Sequence, residues 1–420
     1  MSPVAATRQA PAPAPAATQA RPAGSAFGQW NSAVTSYYVL AGATALLLVL
    51  GLVMVLSSSS VDSLAASRSP YTQFLNQTKY ALVGLPIMLV LAHMSPRRLR
   101  ALAWPALIGA VLFQGLVFTP LGATENGNTN WVRLPGFQAQ PSEMIKFGLA
   151  LWLGAVLARK LPLLHEWKHA LIPAIPVAGG AIGVVLLGGD LGTTLVLFLL
   201  VFGALWISGM KLRMFAVPAL AVGLVTAPLV LLNGNRSGRI AAWLHPQTVD
   251  QSGLGVTYQS KHGIWALGTG GWGGLGLGQS REKWGYLPEA HNDFVFAIIG
   301  EELGLLGTLL VVALFGLLAF AMVRVIRRHD DAFAQITTAA IMMWLIGQAL
   351  INIAVVLGLL PVMGVPLPLV SAGGSALIMT MAALGVLLAF ARSEPGAAEA
   401  LAARPSVFRR SLAVLGRARG

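Results

Sequence analysis

The sequence predicts an all-α polytopic membrane protein: ten transmembrane helices, with one large exported loop between helices 7 and 8. Three observations carry this. The chain is 56% hydrophobic and only 10% charged, with a mean hydropathy of +0.72, far from the balance of a soluble domain. Apolar runs of about 20 residues, the length that crosses a bilayer as a helix, recur along it. Basic clusters fall between alternate runs, as they do in cytoplasmic loops.

Taken in order, residues 1–34 are Ala/Pro-rich, carry Arg8 and Arg21 but no acid, and read as a disordered cytoplasmic tail. No cleavable leader is expected ahead of the first span, which begins near Tyr37 and is long enough to cross by itself. Further spans begin near Tyr80, Ala101, Pro141, Ala170, Leu191, Met214, Asp293, Phe333 and Gly374, giving a membrane domain over 35–392. PRRLR at 96–100, ARK ending at Lys160, KLR at 211–213, RVIRRH at 324–329 and the Arg-rich tail of 393–420 follow alternate spans. Both termini are therefore expected in the cytoplasm, which requires an even number of crossings. The net charge of +13 follows this pattern, so membrane lipids rather than nucleic acid are the expected anionic partner. With no cysteine, disulfides and thiolate metal sites are excluded. No sequence repeat of the inverted-transporter kind is visible.

This topology exports the loop of about 233–292. It carries Arg236, Arg239, Lys261, Arg281 and Lys283 against three acids, with a glycine-rich run, GTGGWGGLGLGQS. Basic side chains and bare backbone N–H groups suit a phosphate-bearing ligand, and equally a loop attracted to lipid headgroups. Of the fifteen acids, nine fall in loops or tails; Glu143, Asp190, Glu289, Asp293, Glu301 and Glu302 lie at or inside the expected membrane boundary. An ionisable group there costs about 2.5–3.5 kcal/mol on insertion, which makes each a functional candidate. Glu143 is also explained by an ion pair with Lys146 on its helix face, and Asp190 by capping the next helix. Glu301 and Glu302 sit two turns into the eighth span, where at least one must face the bundle interior.

Two local matches carry no function. HEWKH at 165–169 fits the zinc-protease pattern, but a possible third ligand, Asp190, is one membrane crossing away, about 30 Å. GTGGWG fits G-x-G-x-x-G without the preceding strand that a dinucleotide site requires.

Four separated stretches, NWVRLPGFQAQPSEMIK, GGDLGTTLVLFLLVFGALWISG, YQSKHGIWALGTGGWGGLGLGQSREKWGYLPEAHNDFVFAIIGEELGLLG and LPVMGVPLPLVSAGGS, together resemble the SEDS family of peptidoglycan polymerases. The resemblance runs from about Tyr37 to Arg392, and within the family is nearer the division branch (FtsW) than the elongation branch (RodA). It implies a glycosyltransferase that polymerises lipid II at the outer face of the cytoplasmic membrane, at the division septum, and releases undecaprenyl pyrophosphate. It implies Asp293, the Asp of E-x-H-x-D-F, as the catalytic base. Such chemistry needs a positioned base for a poorly nucleophilic sugar hydroxyl and cations for the leaving pyrophosphate. Glu289 and His291 are expected to orient the acceptor or a divalent cation (Mg or Mn); no organic cofactor is expected. Lys261, Arg281 and Lys283 are expected at the pyrophosphate or lipid-linked sugar, and Trp131, Gln140, Ser142, Glu143 and Lys146 along the same cavity. Asp190, Arg236, Arg239, Ser260 and Ser371 complete the substrate-binding set.

Pro361, Pro366, Pro368, Ser371, Gly373, Gly374 and Ser375 are expected to form a rigid turn at the exported face. The resemblance also implies a partner, an FtsI-like class B penicillin-binding protein, with other division membrane proteins. The chain departs from the family pattern at Asn292 (usually Thr), Gly189 (Pro), Met363 (Thr) and Ala372 (Tyr), leaving substrate contacts near the last exported loop open. Two other classes compete: a lipid II flippase working through Glu143, Lys146 and Asp190, and a noncatalytic division scaffold.

Overall fold

The structure, a computed structural model, describes residues 32–402 except 126–127, 135–136, 165, 167, 170–171, 216–219, 221–233 and 245–255. Residues 1–31 and 403–420 of the tails, His165 of HEWKH, and nearly all of the expected seventh span from 216 onward therefore lie outside the described residues.

Five helices are long and apolar enough to cross a bilayer: α1 (Thr35–Ala65), α2 (Thr72–Ala92), α10 (Val295–Arg328), α11 (Ala332–Val356) and α12 (Gly374–Arg392). Three shorter helices, α4 (Ala103–Gly115), α6 (Ala174–Leu187) and α7 (Leu191–Ile207), are equally apolar. Helix α5 (Pro141–Lys160) carries charge at both ends yet is largely buried, packing on α4, α7 and α11, with Trp152 fully buried. The outer wall closes where α2 packs along α12 and α1 along α10. Between these run the short α3 (Pro96–Ala101), α8 (Gly234–Leu244), α9 (Val256–Gly270) and the terminal α13 (Ala397–Ala402).

Three departures from the sequence reading matter. The fold is not all-α: in the segment joining α4 to α5, β1 (Gly122–Glu125), β2 (Asn128–Leu134) and β3 (Phe137–Ala139) form a three-stranded antiparallel meander. Helix α2 starts at Thr72, eight residues before the expected Tyr80, with polar first turns from which Gln77 is buried. The eighth span is discontinuous. At Gly304 the backbone turns to φ 67°, ψ −164° and splits α10 into a nine-residue half-helix and a membrane helix.

The groups freed by that break are satisfied by the preceding loop. Leu275 and Gly276 donate N–H to the Glu301 and Glu302 carbonyls, and Leu305 and Leu306 donate to Gly271 and Trp272. Inside a membrane such replacement bonding is what permits a broken helix. The half-helix reaches from α11, where Asn352 donates to the Asp293 carbonyl, to α1, where Ser57 donates to Glu302. Both contacts lie short of the same end of their helices, so the half-helix crosses the bundle instead of running along it. GTGGWG is the end of α9 and the turn after it, with no strand before it.

Charge sorts to the two ends. At one, Arg100 pairs with Asp331 (2.6 Å), Arg328 with Glu394 (3.3 Å), Arg324 donates to Ser36 and Arg392 to the Ala92 carbonyl. At the other lie the meander, the α6–α7 turn, residues 271–294 and residues 357–373.

A Cβ on Gly304 would fall 2.4 Å from the Gly274 nitrogen and 2.6 Å from the Trp272 carbonyl oxygen. Gly304→Ala is therefore expected to cost about 3 kcal/mol, from clash and positive φ together, and to lower the folded yield and thermal midpoint in detergent. Gly179→Ala, where a Cβ meets nothing within 4 Å, should leave both unchanged.

Candidate active site

The site is built around an irregular segment, residues 361–373, in which Val362, Val365, Leu367, Leu369, Val370 and Ser371 are all buried. Three prolines deny it a helix, and its backbone polar groups must find partners inside the protein. Amide side chains from apolar helices supply them. Gln348 donates to the Pro366 carbonyl (2.8 Å), Asn352 to that of Val365 (2.7 Å), and Gln77 both donates to Ser371 and accepts from Gly373. Arg239 of α8 donates to Val362.

The segment in turn holds the loop before α10. Ser371 Oγ donates to the Asn292 carbonyl (2.6 Å), Ala372 N–H to that of His291 (2.9 Å), and Asn352 bridges Val365 and Asp293. Glu289 adopts φ +56°, and its carbonyl accepts from the Asn292 and Phe294 N–H groups. Its carboxylate accepts from the Asn292 side chain at 2.6 Å, so the residue that departs from the family pattern braces the acid beside it. Asp293 is half-buried, and Gly364, at φ +71°, faces it; a Cβ there would lie 3.7 Å from Oδ2.

Burial pushes the Asp293 carboxyl up to about 7, and neighbouring Glu289 adds to the rise. Arg239 and His291 pull it back, while Asp190 adds a smaller push upward. A carboxyl poised near neutrality, partly open to solvent, has the properties of a general base.

Asp190 both caps α7 and gathers a polar cluster. Its Oδ1 accepts from Thr193 N–H (2.9 Å), and its Oδ2 from Gln140 (2.6 Å), Asn130 and Ser142 (both 3.4 Å). Close packing of Gly192 on the Met363 carbonyl sets this cluster against the opposite flank of the irregular segment. Gly189 has φ +86°, a conformation proline cannot adopt, so that family departure carries a real change of turn. Trp131 is half-buried on β2, across from Ala123.

Other expected site residues are placed differently. Glu143 and Lys146 form a buried pair at 2.7 Å, with Lys146 also donating to Gln348 and lying 5.2 Å from the Trp344 ring centroid. They buttress the irregular segment from behind, through Gln348. Lys283, expected at the pyrophosphate, is buried and paired with Glu302 at 2.9 Å. Glu301 accepts from Ser280 Oγ (2.6 Å) and the Arg281 N–H (3.0 Å), so both acids of α10 are buried and fasten the glycine-rich loop, Glu302 also accepting from Ser57 of α1. Arg281 keeps its side chain exposed; Lys261 and Ser260 are half-buried on α9, beside His262, which pairs with Glu282 at 2.5 Å. The side chain of Arg236 lies outside the described residues.

Among the described residues no three of His, Asp and Glu converge as a metal-ligand set. A divalent ion here would rely on a carboxylate plus substrate phosphates, as Mg²⁺ commonly does. Sequence reading missed Gln77, Gln348 and Asn352, although an amide in an apolar span is itself a signal of a buried partner.

Raising the folded-state pKa above the usual carboxylate range means that ionising Asp293 opposes folding. The penalty is absent below about pH 4 and complete above the folded value near 7. Asp293→Asn should raise the thermal midpoint by several degrees at pH 8, with the gain shrinking as pH falls. A midpoint difference independent of pH would contradict this.

Comparisons place the geometry. The family model described as cell cycle protein, covering FtsW, RodA and SpoVE, matches residues 38–395. A Mycobacterium tuberculosis protein named probable peptidoglycan glycosyltransferase FtsW is 40% identical over 379 residues, 90% of this chain and 72% of its own length. One of the same name from Geobacter sp. (strain M18) is 35% identical over 353 residues, 83% and 94% of the two chains. Among solved structures, a chain from work on coordination of polymerization and crosslinking by a peptidoglycan synthase complex superposes with a TM-score of 0.68 at 29% identity, covering 84% of this chain and 96% of that one. The rod shape determining protein RodA of Thermus thermophilus superposes at 0.63 and 28% identity, covering 85% and 97%. With a family match over most of its length, the chain belongs to the FtsW/RodA/SpoVE family of cell cycle proteins.

Proposed function

We propose that this protein polymerises lipid II into glycan strands at the outer face of the cytoplasmic membrane during cell division, with Asp293 as general base. It is a peptidoglycan glycosyltransferase, as its relatives are named. The observation that carries the specific mechanism is the half-buried Asp293 carboxyl, raised to about 7 and held by the irregular segment at the end of the bundle away from the basic clusters.

The ionised Asp293 takes the proton from the acceptor sugar's 4-hydroxyl as its oxygen bonds to the donor's anomeric carbon. The bond from that carbon to the pyrophosphate breaks, and undecaprenyl pyrophosphate departs with the electron pair. Arg239 lies closest in charge to Asp293 among the exported bases and is the leading candidate to meet the developing phosphate charge. Arg281 and Lys261 are left to contact the lipid-linked headgroup.

The positive-inside bias assigns the ion-paired end, with both termini, to the cytoplasm, and the remaining spans complete the ten. The septal location follows from the division branch, as does the class B penicillin-binding protein partner. A flippase would need mobile intramembrane charge, whereas Glu143 and Lys146 are locked to each other, Gln348 and Trp344. A scaffold would leave the raised Asp293 without use.

Glycan formation from purified lipid II in vesicles, with and without the transpeptidase partner, tests this. Wild type should form polymer at a rate that climbs with pH through about 7, because the base must be ionised. Asp293→Ala should reduce it at least 100-fold. Polymer from the variant would contradict the assignment; no polymer from either, with lipid II crossing the vesicles, would favour the flippase.

A further inference from the structure

The glycine-rich loop turns apolar side chains outward. On α9, Ile264 and Trp265 share an exposed face with Gly268 and Thr269 one turn on, and the turn that follows exposes Trp272, Leu275 and Leu277. Trp272 is 77% exposed and Trp265 55%. Large apolar side chains gathered on one exported segment mark a contact surface.

Its position says what it contacts. The turn meets α10 where the membrane helix begins: the Gly271 and Trp272 carbonyls accept the Leu305 and Leu306 N–H groups at 2.9 and 3.3 Å. From there Leu305, Leu306, Leu309 and Leu310 form an exposed face of a helix long and apolar enough to cross the bilayer. The apolar surface of the loop thus begins where the hydrocarbon-covered surface of α10 ends. Its charge fits the same neighbour. The loop's acids are engaged within the fold: Glu282 pairs with His262 (2.5 Å), which packs against Trp265 and Tyr286, and Glu289 accepts from Asn292. Lys283 is neutralised by Glu302. Among the described residues 258–294, Arg281 is the one exposed charge. Trp and Leu with a cation and no exposed acid complement a phospholipid headgroup layer, where Trp is enriched.

We propose that residues 264–281 are an interfacial anchor docked on bilayer phospholipid of the outer leaflet, with Trp265 and Trp272 at the acyl boundary. Arg281 then lies in the phosphate layer, where it can also meet the lipid-linked headgroup. The anchor does not rest on the polymerase reading. Because Glu301 and Glu302 fasten this loop to the half-helix of α10, docking sets the depth at which the half-helix, and Asp293 before it, is held.

The chain has no cysteine, so single labels can be placed. Gly268 and Gly273 are exposed, and a Cβ at either meets nothing within 4 Å. Full-length Gly268→Cys and Gly273→Cys would carry a nitrobenzoxadiazole fluorophore in phosphatidylethanolamine–phosphatidylglycerol vesicles, beside Thr124→Cys on the exposed meander. A phospholipid with a nitroxide near the headgroup end of its acyl chain should quench the first two. Aqueous iodide should quench them about tenfold less than the meander label, because an ion is excluded from the acyl boundary. Adding Trp265→Ser and Trp272→Ser should open the Gly268→Cys label to iodide. Labels as open to iodide as the meander label would overturn the proposal. Labels shielded from both quenchers would overturn it too, since a protein surface, such as a second copy, would then cover the loop. Should a cysteine variant not fold, a diazirine-bearing phosphatidylglycerol added to the unmodified protein should cross-link to residues 264–277 as it does to Leu306, Leu309 and Leu310 of α10; cross-linking of α10 alone would overturn the anchor.

Discussion

The structure depends on satisfying the backbone of an irregular segment at the membrane's edge. Residues 361–373 run without helix or strand and bury about half of their side chains, where unsatisfied carbonyls would be costly. Gln77 from α2, Gln348 and Asn352 from α11, and Arg239 from α8 supply the bonds, so four points in the chain converge on one stretch of backbone. Because Asn352 and Ser371 also bond the backbone at 292–293, the same network fixes Asp293, the acid proposed here as the base. Helix packing, the broken α10 and the placement of Asp293 are consequences of one requirement.

Electrostatics follows from the same economy. Lys146 and Lys283 neutralise Glu143 and Glu302 and thereby become structural, since breaking a buried pair costs far more than the pair contributes. Asp293 has no such lysine: it is left among Glu289, Arg239, His291 and Asp190, whose charges oppose one another while burial dominates. Glu143 and Glu302 are thus paired within the scaffold, whereas Asp293 is held near neutrality.

Much of this was legible in the sequence. Apolar runs and alternating basic clusters marked most of the helices, and HNDF at the mouth of the eighth run marked the acid. What escaped was long-range or set by backbone geometry. The break at Gly304 is invisible to hydropathy because apolar residues continue through GLLGTLLVV on its far side. Lys283 looked available for phosphate because its partner, Glu302, is 19 residues away and becomes adjacent only when the glycine-rich loop folds back. The meander was hidden in a polar connection too short for strand alternation to stand out. Asn352 and Gln348 read as isolated polar residues in a span, since their partners belong to a segment with no periodicity.

The central claim is that Asp293 works because the irregular segment holds it, and Asn352 is the side chain that joins the two. The direct test is steady-state polymerisation by purified Asn352→Ala, with kcat and KM for lipid II measured separately. The account predicts a kcat lower by about 100-fold, the effect of displacing a catalytic group by about 1 Å, with KM within about threefold and the protein still folded. An unchanged kcat, or a loss confined to KM, would contradict it.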